Sequence, residues 1–418
     1  MSLISGIIIT RLIGPEGKGI YTIFIANTEL LTLFLSLSAN SGITYFIASK
    51  NISERKIIGL TIFTFLSSLI IGSLIIFIPF QHIKLLLPQD FDSFIFKLYL
   101  FLSFLFNISN TLFSGIFQGH KKYNIINKIG IFNSTVSLII FGLLALTKKI
   151  YLFESILFNV LFYTLLIFLI NTLIWIFFYR KKIKTIPSFK LSLKKDVAVF
   201  FNYIGVVFVS EILNFFNYRL DIWFINTHLG LKELGFYSLA VNVSKILLII
   251  SQTTATVLFP YLSEEKNGIK KINLVAFISR INTSVLILGL CFMFISGKYL
   301  IPLVYGDEFT ASISAFRIMI IATLFTGLTK TFATYLASEN KIQYNLYATI
   351  VGLIITIVFN IILVPKYGIL GASYSSLMTY FSIFTVVFYT TVKLNKGISL
   401  NWFLLTRNDI LRTKKYFL

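Results

Sequence analysis

The sequence predicts an all-α polytopic membrane protein of about twelve transmembrane helices, in two pseudo-symmetric six-helix lobes with the first helix truncated. Three observations carry that expectation. The 418 residues are 56% hydrophobic and only 13% charged, whereas soluble domains run near 25% charged. The mean hydropathy is +0.86, and the apolar residues come in long runs. A motif close to Met1 returns once, about half a chain later. At roughly 22 residues per span, twelve spans consume about 260 residues and leave only short connections. A secreted enzyme, a DNA-binding protein and a disulfide scaffold are excluded. The single cysteine, Cys291, lies inside an apolar run, so no intramolecular disulfide or thiolate cluster can form. His82, His120 and His228 are far apart and read as interfacial. No cofactor or metal is expected.

The spans follow from apolar runs and the polar breaks between them. Segment 1–12 is too short to cross a bilayer and lacks the charged start of a cleavable signal peptide. Segments 20–48 and 57–80 are parted by Lys50, Arg55 and Lys56, and segments 94–118 and 123–147 by Lys121 and Lys122. Segment 151–179 follows Lys148 and Lys149 and stops at the basic run from Arg180. Segment 197–228 precedes a Gly-flanked turn, and 236–262 follows it. Lys270, Lys271 and Lys298 bound 274–296; segments 313–336 and 343–364 flank Lys341; segment 368–392 follows Pro365, Lys366 and Tyr367. With the first segment running outward, the inner connections and tail carry 22 Lys and Arg against 9 on the outer side. That asymmetry places both termini in the cytoplasm. It absorbs most of the formal charge of +21, so nucleic acid is not an expected partner. Trp402, Phe403, Leu404 and Leu405, with the basic residues after them, read as an interfacial segment.

Gly14-Pro15-Glu16-Gly17-Lys18-Gly19-Ile20-Tyr21 returns as Gly230-Leu231-Lys232-Glu233-Leu234-Gly235-Phe236-Tyr237, and the offset holds for Tyr45/Tyr261, Lys50/Lys266 and Asn51/Asn267. Tyr123-Asn124 then matches Tyr344-Asn345 after a small insertion. Six spans plus six is the parity of a duplicated transporter, whose halves share one orientation and bind cargo in the cleft between them. The expected organisation is a lobe at 1–193, a second at 194–393, and a cytoplasmic or interfacial tail at 394–418. The repeat register puts the start of the first helix about twenty residues before Met1, so that helix is expected to be incomplete. The glycines supply a tight turn, and the following Tyr is expected at the interface.

Ionisable groups inside spans are costly and mark cavities or pathways. The seventh span carries Glu211, Asn214, Tyr218 and Asp221 at helical spacing, with Arg219 on nearly the opposite side from Asp221. The eighth carries Asn242, Lys245, Gln252 and Thr256, and the repeat pairs Lys245 with Glu29. One reading is a set of ion pairs that lock helices together. The other is a polar, partly cationic cavity for an anionic, hydroxyl-rich cargo. In it Arg219 and Lys245 are the leading cationic contacts for the anion, while Glu29, Glu211, Asn214, Tyr218, Asp221, Asn242 and Gln252 line the cavity or bind a coupling ion. Lys128, Arg280, Arg317 and Lys330 lie near span ends, within snorkelling reach.

No P-loop, HExxH or GxSxG occurs. Asp90-Phe91-Asp92 is similar to the acidic motif of membrane glycosyltransferases, but its loop is too small for a catalytic platform. An O-antigen polymerase matches the size and the Phe/Ile richness, yet such enzymes carry a large outer loop absent here.

The run from Arg11 to Tyr21 resembles the start of the polysaccharide-biosynthesis exporters, the Wzx-type O-antigen flippases. Leu363-Val364-Pro365-Lys366-Tyr367-Gly368-Ile369-Leu370-Gly371-Ala372 resembles their entry to the last span, and Leu229 through Tyr237 their second-half turn. The resemblance implies the fold shared by multidrug and toxin extrusion transporters and lipid II flippases. It implies an undecaprenyl-diphosphate-linked oligosaccharide (an O-antigen or capsule repeat unit) moved across the bacterial inner membrane by alternating access, with Arg219 and Lys245 as the contacts for its diphosphate. Membrane lipids and polysaccharide polymerase machinery are the implied partners. A cation-coupled multidrug exporter of the same fold is the alternative.

Overall fold

The computed structural model describes residues 2–78, 93–147, 150–188, 195–395, 401–406 and 409. The acidic triplet 90–92, His82 and most of the tail's basic residues lie outside them. The chain divides into two compact units, Met1–Phe215 and Phe216–Leu418, and the division falls within one helix.

In the first unit, α1 (Ser2–Ser36) turns sharply at Gly14, whose φ is 65° and ψ −174°. Only glycine adopts that backbone cheaply, and Pro15 begins the next helical stretch, where a missing N–H costs nothing. A second interruption at Leu37 and Ser38, φ 49° and 57°, separates α1 from α2 (Ala39–Ser49). Then come α3 (Glu54–Phe77), α4 (Phe94–Gly119), α5 (Tyr123–Leu146) and α6 (Ile156–Lys182), followed by the start of α7 (Lys195–Leu229). Phe117, Ile129 and Trp175 tie α4, α5 and α6 together; Ile9, Phe141, Leu144 and Val160 tie α1, α5 and α6.

In the second unit, Gly230 separates α7 from α8 (Leu231–Ser244) with φ 87° and ψ −179°, the conformation of its repeat partner Gly14. The duplication is therefore written in the backbone as well as in the letters. A short 3-10 turn, Lys245–Leu247, leads into α9 (Leu248–Glu264); α10 (Gly268–Tyr305), α11 (Ser312–Ser338) and α12 (Ile342–Leu394) complete the unit. At 1.5 Å per residue, the 53 residues of α12 extend about 80 Å, more than twice the hydrocarbon thickness. They are two passes, parted at Gly368 with φ 59°. At this turn Gly371 lies so close to Leu363 that a Cβ would sit 2.1 Å from its carbonyl oxygen.

Among the described residues, ten helical stretches are long and apolar enough to cross a membrane. Dividing the first at Gly14 and the last at Gly368 gives the twelve segments that the sequence predicts. Large apolar side chains such as Phe63, Leu66 and Ile70 on α3 and Leu288, Phe292 and Ile295 on α10 are exposed, as lipid contact requires. Helix α10 overruns its expected bounds at both ends because its boundary lysines lie on the helix. Lys271 is drawn in by a 2.6 Å pair with Glu339.

Two expectations are refined. Trp402 is 1% exposed, packed against Phe332 and Phe388 in the core of the second unit, while Leu404 and Leu405 stay exposed; this part of the tail is folded onto the helices. Arg280 has protein partners at its head group: its Nε and Nη2 donate to both carboxylate oxygens of Asp409 at 2.7 and 2.8 Å, and Nη1 donates to the Asn401 carbonyl at 3.0 Å. The guanidinium, helped by the Thr406 hydroxyl and N–H, holds the Asp409 carboxyl down at about 2.

Candidate functional site

The second unit gathers its polar groups around Asp221, on α7. The side chain is 8% exposed and must be paired to remain inside an apolar helix bundle. The Tyr237 hydroxyl on α8 donates to Oδ2, and the Ile222 N–H donates to Oδ1 at 3.0 Å. The same Tyr237 hydroxyl lies 3.1 Å from Ser376 Oγ on α12. One helical turn further, Tyr380 packs against Tyr218 with ring centroids 5.6 Å apart. The charges of both Lys245 and Arg219 act on Asp221, and Arg219 also acts on Tyr380. Local backbone explains the placement of Lys245: it opens the 3-10 turn between α8 and α9. Its repeat partner Glu29 stands in regular helix.

Asn217, one turn before Asp221, begins a second network. Its Nδ2 donates to the Thr349 carbonyl at 2.8 Å and its Oδ1 accepts from Thr356 at 3.3 Å; Thr356 lies 2.8 Å from Thr379. These bonds join α7 to both passes of α12 through buried side chains, each needing its partner.

Glu211 belongs to the first unit. It accepts from Ser38 Oγ at 2.5 Å and from Ser41 Oγ at 3.2 Å. Ser38 is the left-handed residue before α2, so the carboxylate sits at the opening of that helix, where the dipole favours negative charge. Of the other sequence-derived candidates, Asn214 is exposed and donates to the Ser210 carbonyl. Asn242 and Gln252 are exposed, while Glu29, Arg219 and Lys245 are half-buried. The structure thus brings together Tyr218, Arg219, Asp221 and Lys245, and gives Glu211 a separate setting.

Sequence reasoning missed Tyr237, Ser376, Tyr380 and the Asn217–Thr356–Thr379 chain. Tyr237 was expected at a membrane interface, but it is 1% exposed and directed at a carboxylate. Ser373, Ser376 and Tyr380, at i, i+3 and i+7 of one apolar helix, were the available signal.

A 27% identity over 232 residues links the chain to the probable low-salt glycan biosynthesis flippase Agl15 of Haloferax volcanii, over 54% of this chain and 48% of that one. The chain thus spans about half the length of this relative. An uncharacterized membrane protein of Methanocaldococcus jannaschii, MJ1375, is 24% identical over 405 residues, 93% of this chain and 92% of that one. Among solved structures, an inward-facing multidrug resistance MATE family transporter of the MOP superfamily superposes with a TM-score of 0.72 at 14% identity, covering 96% of each chain. The lipid II flippase MurJ, in an inward closed conformation, superposes with a TM-score of 0.70 at 15% identity, covering 93% of this chain and 85% of that one. At these identities the superpositions establish the fold. Residues 1–266 match the family described as polysaccharide biosynthesis protein, and with well over half its length inside that match the chain belongs to this family of multi-pass membrane proteins.

Proposed function

We propose that the protein is a flippase for a polyprenyl-diphosphate-linked oligosaccharide, undecaprenyl-linked in a bacterium, serving O-antigen or capsule assembly at the cytoplasmic membrane. It would open to the two sides in turn, with both termini cytoplasmic, and hand its product to polysaccharide polymerase machinery. What supports the reading is a buried carboxylate within apolar helices, Asp221, hydrogen-bonded by Tyr237, with Arg219 two residues before it on α7 and Lys245 opening the turn after α8. A diphosphate entering a low-dielectric site needs cationic donors to replace its water. Two cations held near Asp221 can exchange part of their interaction with that carboxylate for the cargo. Tyr218, half-buried and backed by the buried Tyr380, is the candidate ring face and hydroxyl for a sugar. Asp221, bonded to Tyr237, is the proposed coupling group: a proton or cation taken up there frees Arg219 and Lys245 for phosphate. Glu29, Glu211, Asn214, Asn242 and Gln252 remain candidate lining residues.

Arg219→Ala with Lys245→Ala tests the assignment. In a strain whose own copy is deleted, the double variant should reach the membrane at normal abundance yet leave surface polysaccharide absent. Normal polysaccharide would remove both residues from the site. A second reading, a cation-coupled exporter of small amphiphiles, draws on the likeness to the MATE transporter. It predicts drug hypersensitivity of the deletion strain with intact polysaccharide.

A further inference from the structure

A separate feature lies in the first unit, at the end where three helices carry their basic residues. A cavity of about 320 Å³ opens between α3, α4 and α6, lined by Ile58 to Phe65, Ser109 to Ile116, Thr172 to Tyr179, and Pro187. Its volume is in the range of small-molecule sites, about 300–1,000 Å³. Its hydroxyls are already spent: Thr61 donates to the Ile57 carbonyl at 2.8 Å, Ser109 to Leu105 at 2.7 Å, and Thr172 to Phe168 at 3.0 Å. Tyr179 donates to the Thr185 carbonyl at 2.6 Å. A cavity whose hydroxyl protons are all spent and whose lining is otherwise largely apolar holds water poorly. Within a membrane, hydrocarbon is the medium that fills it.

The position of the cavity says which hydrocarbon. Its α3 wall starts four residues after Glu54, and its α4 and α6 walls each stop three residues before Gly119 and Lys182. Those helix ends carry Arg55 and Lys56, Lys121 and Lys122, and Arg180, Lys181 and Lys182. Lys122 Nζ donates to the Lys182 carbonyl at 2.6 Å, which closes the collar between α4 and α6. The acidic residue at this end, Glu54, is engaged by the Thr185 hydroxyl at 2.5 Å and by His120 Nε2 at 3.1 Å. The Ser188 N–H donates to the Arg55 carbonyl at 3.0 Å, drawing segment 183–188 over the cavity with Pro187 as its roof. An apolar slot beneath a ring of cations matches a molecule with an alkyl chain and an anionic head.

We propose that this cavity binds one acyl chain of an anionic phospholipid from the leaflet at the basic end, with the phosphate held by the collar. The site is independent of the cargo reading above. The test uses the full chain in nanodiscs containing phosphatidylglycerol with a diazirine in its acyl chain. Irradiation should place adducts on the stretches 58–65, 109–116 and 172–179, at least about fivefold more than with the matching phosphatidylcholine. Ser109→Phe fills the cavity and should abolish these adducts while labelling of exposed α10 persists. Changing Arg180, Lys181 and Lys182 together to Ala should erase the preference for the anionic lipid while leaving chain labelling in place, and it tests the collar even where the cavity variant fails to fold. Equal labelling by the two lipids, or uniform labelling around the unit, overturns the proposal. So does displacement of the adducts by a polyprenyl phosphate but not by unlabelled phosphatidylglycerol, which would assign the cavity to a carrier chain.

Discussion

Asp409→Asn should loosen the tail from the second unit. The carboxylate is 2% exposed and accepts two charge-assisted bonds from Arg280 at 2.7 and 2.8 Å. Bonds of this type contribute about 1.5–3 kcal/mol each. Asparagine keeps one acceptor and loses the charge, so the expected loss is about 2 kcal/mol, which is roughly thirtyfold in the equilibrium between docked and open tail. Trypsin cleavage after Arg407 reports that equilibrium where opening is fast relative to cleavage. The same clamp has a defined acid limit. The carboxyl is depressed from 3.8 to about 2, so its stabilisation is complete above about pH 4 and lost as pH falls through 2. Burial of Trp402 should therefore be constant between pH 5 and 8 and disappear only in strong acid. Unchanged trypsin cleavage in Asp409→Asn, or release of the tail near pH 6, would refute the reasoning.

Other outcomes follow from the same geometry. Tyr237→Phe leaves Asp221 a donor short inside the bundle and should cost about 1–3 kcal/mol, read as earlier melting in detergent, with polysaccharide export reduced. Gly230→Ala forces a side chain into φ 87° and should destabilise by about 1–2 kcal/mol. Gly142→Ala, in a helix with nothing within 4 Å of the new Cβ, should be neutral or stabilising. Trp402→Ala should cost about 3–5 kcal/mol and release the tail to trypsin even with Asp409 intact.

The helices were legible because hydrocarbon imposes one requirement along the whole chain: long apolar runs with charges at the breaks. Gly14 and Gly230 were legible as turns because their flanking letters repeat, and the backbone repeats with them. The interruptions inside the second and eighth spans were not, since Leu37 and Ser38 carry no glycine or proline to mark a break. Lys245 does mark one, but a lone lysine in an apolar run reads equally as a ligand or an ion pair. The fate of the tail was hidden for a different reason. Trp402 and Asp409 look interfacial by composition, and only tertiary contacts with Phe332 and Arg280 make them core. In the polar cluster the charges stood out, whereas Tyr237, which bonds Asp221, and Ser376 beside it carry no charge to mark them in an apolar run.

The most direct test is cargo movement by the purified protein. Liposomes containing it should carry a fluorescent, short-chain polyprenyl-diphosphate oligosaccharide from one leaflet to the other, measured by loss of fluorescence to a membrane-impermeant quencher. The account predicts transfer by the native chain and none by a folded Arg219→Ala, Lys245→Ala protein. Equal transfer by the two, or no transfer by a native chain that exports cationic dyes, would contradict it.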